Sequence, residues 1–273
     1  MTVAYERLRV RDAVHIWQGR APDALAPGDT GLLSEEELQM VRRLPDAAAV
    51  RYAAAHVALR RVLSHYLGVL PREVVLGRRP CPRCAHPSHG RPRIDWPPTD
   101  LSFNLSRSGP QWLLAVVVGH QVGVDLEDGR SLDIDGASKL LMSAPELAHV
   151  RSRPDESART DAFFRCWTRK EAVVKAIGVG IITDLSEVDV RPAEDGPVLV
   201  THAEPNSPDT WLMQDLPMVD GMFAALAREA GAAGPVELHR YEDLARRTTD
   251  AAHPESHQNG DESRKPRRGV LVP

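Results

Sequence analysis

The sequence predicts an α+β protein of two lobes of similar size, joined near residues 118–122. Three observations carry that expectation. The chain has 273 residues, enough to bury a core without help from disulfides. Helical and strand periods alternate irregularly rather than as a repeated βαβ unit. The charge is also split. Residues 1–120 hold sixteen Arg, no Lys and eleven acids, while residues 121–273 hold eighteen basic residues and twenty-seven acids. The lobes are therefore expected at 1–120 and 121–247, and the Asp, Pro, Ser and Asn composition of 248–273 reads as a disordered tail.

The net charge of −4 argues against a nucleic-acid partner. The basic first half points to an anionic ligand, and the acidic second half to a cation. An odd count of three cysteines fits a reducing compartment, so the expectation is a cytoplasmic protein. The charged stretch Met1–Asp12 lacks the apolar core of a signal peptide. The longest apolar run, Trp112–Val118, is far short of a membrane span.

Residues 1–33 read as irregular, with an early strand at 14–17. Ser34 and Glu37 form a capping box before Leu38, Val41 and Leu44. Pro45 and Asp46 open a longer helix that runs to Leu67, and Gly68 ends it. Its polar side carries Arg51, His56 and Arg60. Residues 77–98 read as a loop dense in Arg, Pro, Cys and His. Leu101, Phe103 and Leu105 alternate with Ser102, Asn104 and Ser106, a half-buried strand with an open polar face. Trp112–Val118 reads as a buried strand, and Gly119-His120-Gln121 as a hairpin connection to a strand at 122–127. Residues 158–177 are helical by period. Strands are expected at 185–190, 198–201 and 222–227.

Two constellations point to chemistry. In Gly123-Val124-Asp125-Leu126-Glu127 the two carboxylates share one strand face. They repel unless a cation lies between them, and a hard divalent ion suits oxygen ligands. A solvated acidic edge strand is the plain alternative. In the helix Trp167-Thr168-Arg169-Lys170-Glu171-Ala172-Val173-Val174-Lys175, Glu171 and Lys175 lie along one edge and pair at i,i+4. Lys170 falls inside the apolar stripe of Phe163, Trp167, Val174 and Ile177, where an ammonium needs an anion or must reach water. Three carboxylates beside two lysines are equipment for phosphoryl-group chemistry. The turn Ser106-Arg107-Ser108-Gly109 adds an anion site.

Phe-Asn-Leu-Ser-x-Ser-Gly at 103–109, Gly-Val-Asp-Leu-Glu at 123–127 and Trp-Thr-Arg-Lys-Glu-Ala-Val-Val-Lys at 167–175 together resemble the 4′-phosphopantetheinyl transferase superfamily. The length resembles its two-lobed, surfactin-synthetase-type branch, and the likeness covers roughly residues 34–230. That resemblance implies a pseudodimer of two α+β lobes with the active site in the cleft between them. It implies transfer of the phosphopantetheine arm of coenzyme A to a Ser of an acyl or peptidyl carrier protein, releasing 3′,5′-ADP, with Mg²⁺ or Mn²⁺.

Residue by residue, the resemblance makes Asp125, Glu127 and Glu171 the metal ligands and Lys170 and Lys175 the phosphate-contacting lysines. It gives Ser106, Arg51 and Arg91 contacts to coenzyme A, with Arg42 and Arg43 as weaker candidates for the 3′-phosphate. Arg107 stands where the family usually has His. It can bind phosphate but is a poor proton acceptor, so the preferred base is Glu171, with Glu127 as the alternative. A Mg²⁺-dependent nucleotide pyrophosphohydrolase and an inactive carrier-protein or coenzyme A binder are the competing readings. Leu140, Leu141 and Met142 are either a carrier-docking ridge or core. Because one chain builds the whole cleft, a monomer is expected. The Cys81-x-x-Cys84 loop with His86 and His89 has metal-ligand composition. Its ligands are tightly packed and the resemblance requires none there, so no structural Zn²⁺ is expected.

Overall fold

A computed structural model of the chain describes residues 1–84, 86, 89–129, 133–179, 184–205, 207–219 and 221–252. The elements in chain order are α1 (Val3–Val10), β1 (Val14–Arg20), α2 (Glu35–Arg43), α3 (Asp46–Leu67), β2 (Val75–Arg78), β3 (Pro92–Trp96), β4 (Leu101–Ser108), β5 (Gln111–Val118) and β6 (Val122–Asp128), then α4 (Ile134–Leu141), α5 (Ala144–Arg151), α6 (Glu156–Ile177), β7 (Val198–Thr201), β8 (Thr210–Asp215), β9 (Met222–Glu229), β10 (Val236–Arg240) and α7 (Tyr241–Ala252). The fold is α+β. One four-stranded sheet runs β10-β1-β5-β4, another runs β6-β9-β8-β7, and β2 pairs with β3 in a hairpin.

Local chemistry sets the long helices. The Ser34–Glu37 capping box forms, with the Ser34 N–H donating to Glu37 Oε2 at 2.7 Å. Helices α3 and α6 each end on a left-handed glycine, Gly68 at φ 72° and Gly178 at φ 86°, a conformation that costs glycine little. Among the described residues, three apolar clusters hold the sheets, and a fourth small one joins Leu33 to Ala53 and Val57 of α3. Leu59, Leu63 and Tyr66 of α3 pack on Trp17, Leu114 and Val116. Phe163, Val173 and Ile177 of α6 pack on Trp211, Met213 and Ala225. Between the sheets, Ile16, Leu113 and Ala115 meet Val124, Leu126 and Leu226. The layers are therefore helix, sheet, sheet, helix.

Several expectations need correction. Strands β5 and β6 do not form a hairpin: β5 lies between β1 and β4, and β6 pairs with β9. The Gly119-His120-Gln121 connection crosses between sheets, because Val124 and Leu126 bury against the back of β5. Residues 185–190 are not a strand but begin with a 3₁₀ turn at Leu185–Glu187. Side chains of neighbouring helices take the backbone groups that a strand partner would use. Lys170 donates to the carbonyls of Leu185 and Val188, and the Val190 N–H donates to Glu146. Residues 1–33 include the helix α1, which buries only Tyr5 and Leu8 and so shows little period. The Gly77–Pro98 loop contains β3. The chain also does not divide cleanly at residue 247. Strand β10 runs parallel to β1, so residues 236–240 complete the first sheet. Helix α7 continues past 247 to Ala252, and residues 253–273 of the expected tail lie outside the described residues.

The polar face of β4 is not open. It faces β6, the edge strand of the other sheet. Asn104 Oδ1, Ser106 Oγ and Ser108 Oγ accept from the N–H groups of Val124, Leu126 and Asp128 at 3.1, 3.2 and 3.0 Å. A ladder of side chains thus satisfies a strand edge that no backbone covers, and it fixes β6 against the first sheet. Replacing Asn104 with Ala leaves the buried Val124 N–H without its acceptor, which costs about 1–3 kcal/mol. The expected result is a lower urea midpoint with unchanged slope. An unchanged midpoint would remove the ladder from the account of stability.

Candidate active site

Alternation along β6 turns Gly123, Asp125 and Glu127 away from the inter-sheet core and toward α6. A Cβ on Gly123 would lie 2.0 Å from the Ala172 carbonyl oxygen, so only glycine lets the helix approach this closely. Trp167, Glu171 and Lys175, spaced by four, line the α6 face above the strand. Trp167 Nε1 donates to Glu127 Oε1 at 3.2 Å. The Lys175 ammonium pairs with Asp125 Oδ1 and donates to Ser106 Oγ at 2.9 Å.

The acids occupy different environments. Asp125 is 2% exposed, and its Oδ2 is buried without a hydrogen-bond partner among the described residues. Glu171 is pushed up to about 7, mainly by burial, with Asp125 and Glu127 adding to the effect and Lys175 opposing it. Glu127 is also raised, first by burial and then by Asp125. An orphaned buried carboxylate oxygen, beside two carboxyls held above their ordinary range, fits a hard divalent cation with oxygen ligands. The three acids do not bring their ligand oxygens within 4.8 Å of one another. Lys175 supplies the positive charge at Asp125 instead.

Other expected site residues divide into two groups. Ser106 lies at the acids but has no valence for a further contact. Its hydroxyl donates to Asp125 Oδ1 at 3.0 Å and accepts from Leu126 and Lys175, which fills one donor and two acceptor positions. Ser106 therefore anchors Asp125 and Lys175. Lys170 does not reach the acids at all. Its side chain is fully buried on another face of α6 and pairs with Glu146 at 2.7 Å. The sequence expectation that this ammonium needs an anion holds, but the anion is a protein carboxylate.

A cleft of about 670 Å³ opens beside the acids, lined by Tyr52, His56, Arg78, Arg91, Arg107 and Lys175 among others. Arg107 and Arg91 thus stand where the sequence expects anion contacts. The Arg107 guanidinium lies 4.9 Å over the Tyr52 ring, a cation–π contact that holds it at the wall. Gly178 admits the Gly90-Arg91 turn, since a Cβ there would sit 2.6 Å from the Arg91 nitrogen. Arg51 is exposed and does not line the cleft; its neighbour Tyr52 does. Arg42 pairs with Glu35 at the surface. Leu140 is 78% exposed while Met142 is 4% exposed, so the expected ridge divides between surface and core.

Sequence reading did not single out Tyr52, and it took Glu37 only as a capping residue. Tyr52 stacks on His56 at 4.0 Å, and Glu37 Oε1 pairs with His56 Nδ1 at 2.8 Å. Glu37 Oε2 accepts from Arg60 Nε at 2.8 Å. The signal was the i,i+4,i+8 spacing of Tyr52, His56 and Arg60 on one face of α3.

Comparison with known proteins decides the family. The chain is 32% identical to the 4′-phosphopantetheinyl transferase HetI of Nostoc sp. over 226 residues, covering 79% of this chain and 87% of the relative. The chain belongs to the 4′-phosphopantetheinyl transferase superfamily. Similarity to the 4′-phosphopantetheinyl transferase psf-1 of Bacillus pumilus is 30% identity, over 73% of this chain and 80% of that one. The 4′-phosphopantetheinyl transferase Sfp of Bacillus subtilis is 30% identical over 44% of this chain and 52% of its own. These Bacillus relatives agree with the surfactin-synthetase-type branch. A family model described as the 4′-phosphopantetheinyl transferase superfamily matches residues 121–227. That segment carries Asp125, Glu127, Glu171 and Lys175 of the transferase.

Proposed function

We propose that the chain transfers the 4′-phosphopantetheine arm of coenzyme A to a Ser hydroxyl of an acyl or peptidyl carrier protein, giving the holo-carrier and 3′,5′-ADP. The observation that supports this most is the Asp125–Lys175 pair at the edge of an Arg-lined cleft, with Glu127 on the same strand face and Glu171 on the facing helix. Asp125, Glu127 and Glu171 would hold Mg²⁺, with Mn²⁺ as a substitute. Bound there, the cation supplies Lewis-acid charge to the pyrophosphate oxygens.

The chain's own residues do the rest. Arg91 and Arg107 bind the anionic groups of coenzyme A along the cleft. Lys175, anchored by Asp125 and Ser106, offers its charge to the phosphate next to the acids. Glu171 takes the proton of the carrier Ser hydroxyl, directly or through a water, as that oxygen bonds to phosphorus and the pyrophosphate bridge breaks. A carboxyl poised near neutral pH suits this task. Both cleft walls come from one chain, which supports action as a monomer. Among the described residues no helix is long and apolar enough to cross a membrane, and the three cysteines are free; both features fit work in the cytoplasm.

The test is the intact mass of an apo carrier protein after incubation with coenzyme A, Mg²⁺ and the chain. A gain of one phosphopantetheine arm is expected. Release of product from coenzyme A without carrier modification would favour a pyrophosphohydrolase instead. Coenzyme A binding with no modification of any carrier type would make the chain an inactive binder.

The raised Glu171 also predicts a pH dependence of cation binding. Its carboxyl keeps its proton up to about pH 7 in the metal-free chain. The stability it contributes is full below its ordinary value of 4.5 and is lost as pH rises through about 7. Mg²⁺ binds the deprotonated form, so it displaces that proton. The thermal stabilisation by Mg²⁺ is expected to grow from about pH 6 to about pH 8, and to lose this dependence in Glu171→Gln. A stabilisation independent of pH in the unaltered chain would exclude Glu171 from the metal site.

A further inference from the structure

We propose that the turn between β2 and β3 is a structural zinc site, formed by Cys81, Cys84 and His89 with His86 as the fourth ligand. One ligand atom from each of Cys81, Cys84 and His89 lies within 4.8 Å of the other two. Cys84 Sγ is 3.2 Å from His89 Nδ1. The ring of His86 lies 5.0 Å from that of His89, and the His89 N–H donates to the His86 carbonyl at 3.1 Å. His86 is outside the 4.8 Å group of the other three, but its ring stands beside that of His89, within reach of a shared ion.

The donor set selects the metal. Two thiolates and two imidazoles suit tetrahedral Zn²⁺ and not the oxygen-seeking Mg²⁺ of the acid cluster. On binding, both thiol protons leave to solvent, and the two thiolates neutralise the ion.

The strands of this hairpin rest on the first apolar cluster through Leu76 and Ile94, but among the described residues of the turn from 79 to 91 Cys81 alone is buried, and a structural metal is one way to hold such a turn. What the turn presents has consequences. Gly90, at φ 94°, packs so tightly that a Cβ would lie 1.8 Å from the Arg79 carbonyl oxygen. Arg78 Nη1 donates to the Gly90 carbonyl at 3.0 Å, and Arg79 N to that of Arg91 at 2.9 Å. On the other side Arg83 Nε donates to Glu204 at 2.7 Å, which anchors the turn to the opposite sheet's connections. His89, Gly90 and Arg91 line the large cleft. The metal therefore fixes the wall that carries Arg91. That last consequence rests on the proposed function, whereas the metal site does not.

The full-length chain is purified from zinc-supplemented culture, and its metal content is measured by plasma mass spectrometry. About one zinc per chain is expected, lost in Cys84→Ser; Cys84 is exposed, so that change spares the fold. Replacement by Co²⁺ is expected to give a tetrahedral cobalt spectrum with a thiolate charge-transfer band, absent in Cys84→Ser. His86→Ala is expected to release zinc faster to a chelator, and an unchanged rate would overturn the assignment of His86. Zinc-free unaltered protein without a cobalt–thiolate band would overturn the site. So would a full equivalent of zinc that persists in the Cys84→Ser, His89→Ala double variant, since the ion would then lie elsewhere, as at His15, Glu237 and His239. A metal-free Cys81–Cys84 disulfide would also overturn it. None of these readouts depends on transferase activity. If carrier modification is present, coenzyme A KM is expected to rise in Cys84→Ser with kcat little changed.

Discussion

Replacing Glu171 with Gln is expected to lower carrier modification by about 10²–10⁴-fold, the range of a positioned general base. The substitution keeps the side-chain volume and leaves a neutral group where burial already holds the carboxyl near neutrality. Folding stability is therefore expected to hold, and above about pH 7, where the unaltered chain carries a buried charge, to rise. Two effects combine in the loss. The proton acceptor disappears, and the site loses one of three anionic oxygen donors. A Mg²⁺ titration separates them. If saturating Mg²⁺ restores little of kcat, the acceptor dominates; if it restores most of kcat, the ligand does. In the unaltered chain the rate is expected to rise with pH and then level, and bound Mg²⁺ moves the rise below 7 because the cation favours the carboxylate. Activity near that of the unaltered chain in Glu171→Gln would transfer both roles to Glu127, which Trp167 and Ser108 hold by hydrogen bonds.

The acids were legible in sequence because period-2 alternation is local: Asp125 and Glu127 must share a face of any strand, and the apolar Val124 and Leu126 decide which face is buried. Helices α3 and α6 were legible for the same reason, α3 with its ends marked by Pro45 and Gly68 and α6 by its period alone; Asp155 and Gly178 cap α6 in the structure. What failed was non-local. The polar face of β4 reads as solvent-exposed until β6 is placed beside it, and nothing in residues 101–108 says that their partner is a strand edge 20 residues on. Strand β10 completes the first sheet from beyond residue 235, a long-range pairing that no window sees. The segment at 185–190 has strand composition, yet buried side chains of α5 and α6 claim its backbone. Lys170 shows the same limit at the site: residue type and resemblance gave it a phosphate contact, and in the structure it pairs with Glu146.

Lys170→Met is the substitution expected to damage the fold most while leaving the chemistry alone. The Lys170 and Glu146 side chains are both fully buried and pair at 2.7 Å. Glu146 also accepts from the N–H groups of Ser143 and Val190, and Lys170 donates to the Leu185 and Val188 carbonyls. The pair therefore binds α5, α6 and the segment after residue 184 to one another. Removing the ammonium alone leaves a buried carboxylate without its counter-charge, at a cost of about 3–5 kcal/mol. Against a typical total of about 5–15 kcal/mol, that is a large fraction. Adding Glu146→Gln removes the stranded charge but keeps an acceptor for Val190, so the double variant is expected to recover most of the loss. Lys175→Met also strands a buried carboxylate, that of Asp125, so its unfolding midpoint is expected to fall as well; because its partly exposed ammonium lies at the acids, kcat per folded molecule is expected to fall with it, which Lys170→Met does not show. The measurement is a double-mutant cycle by urea unfolding, with carrier modification assayed at low temperature and scaled to folded protein. A stable Lys170→Met with lost activity would return Lys170 to the phosphate-binding role that the family resemblance implies and overturn its assignment as a core ion pair.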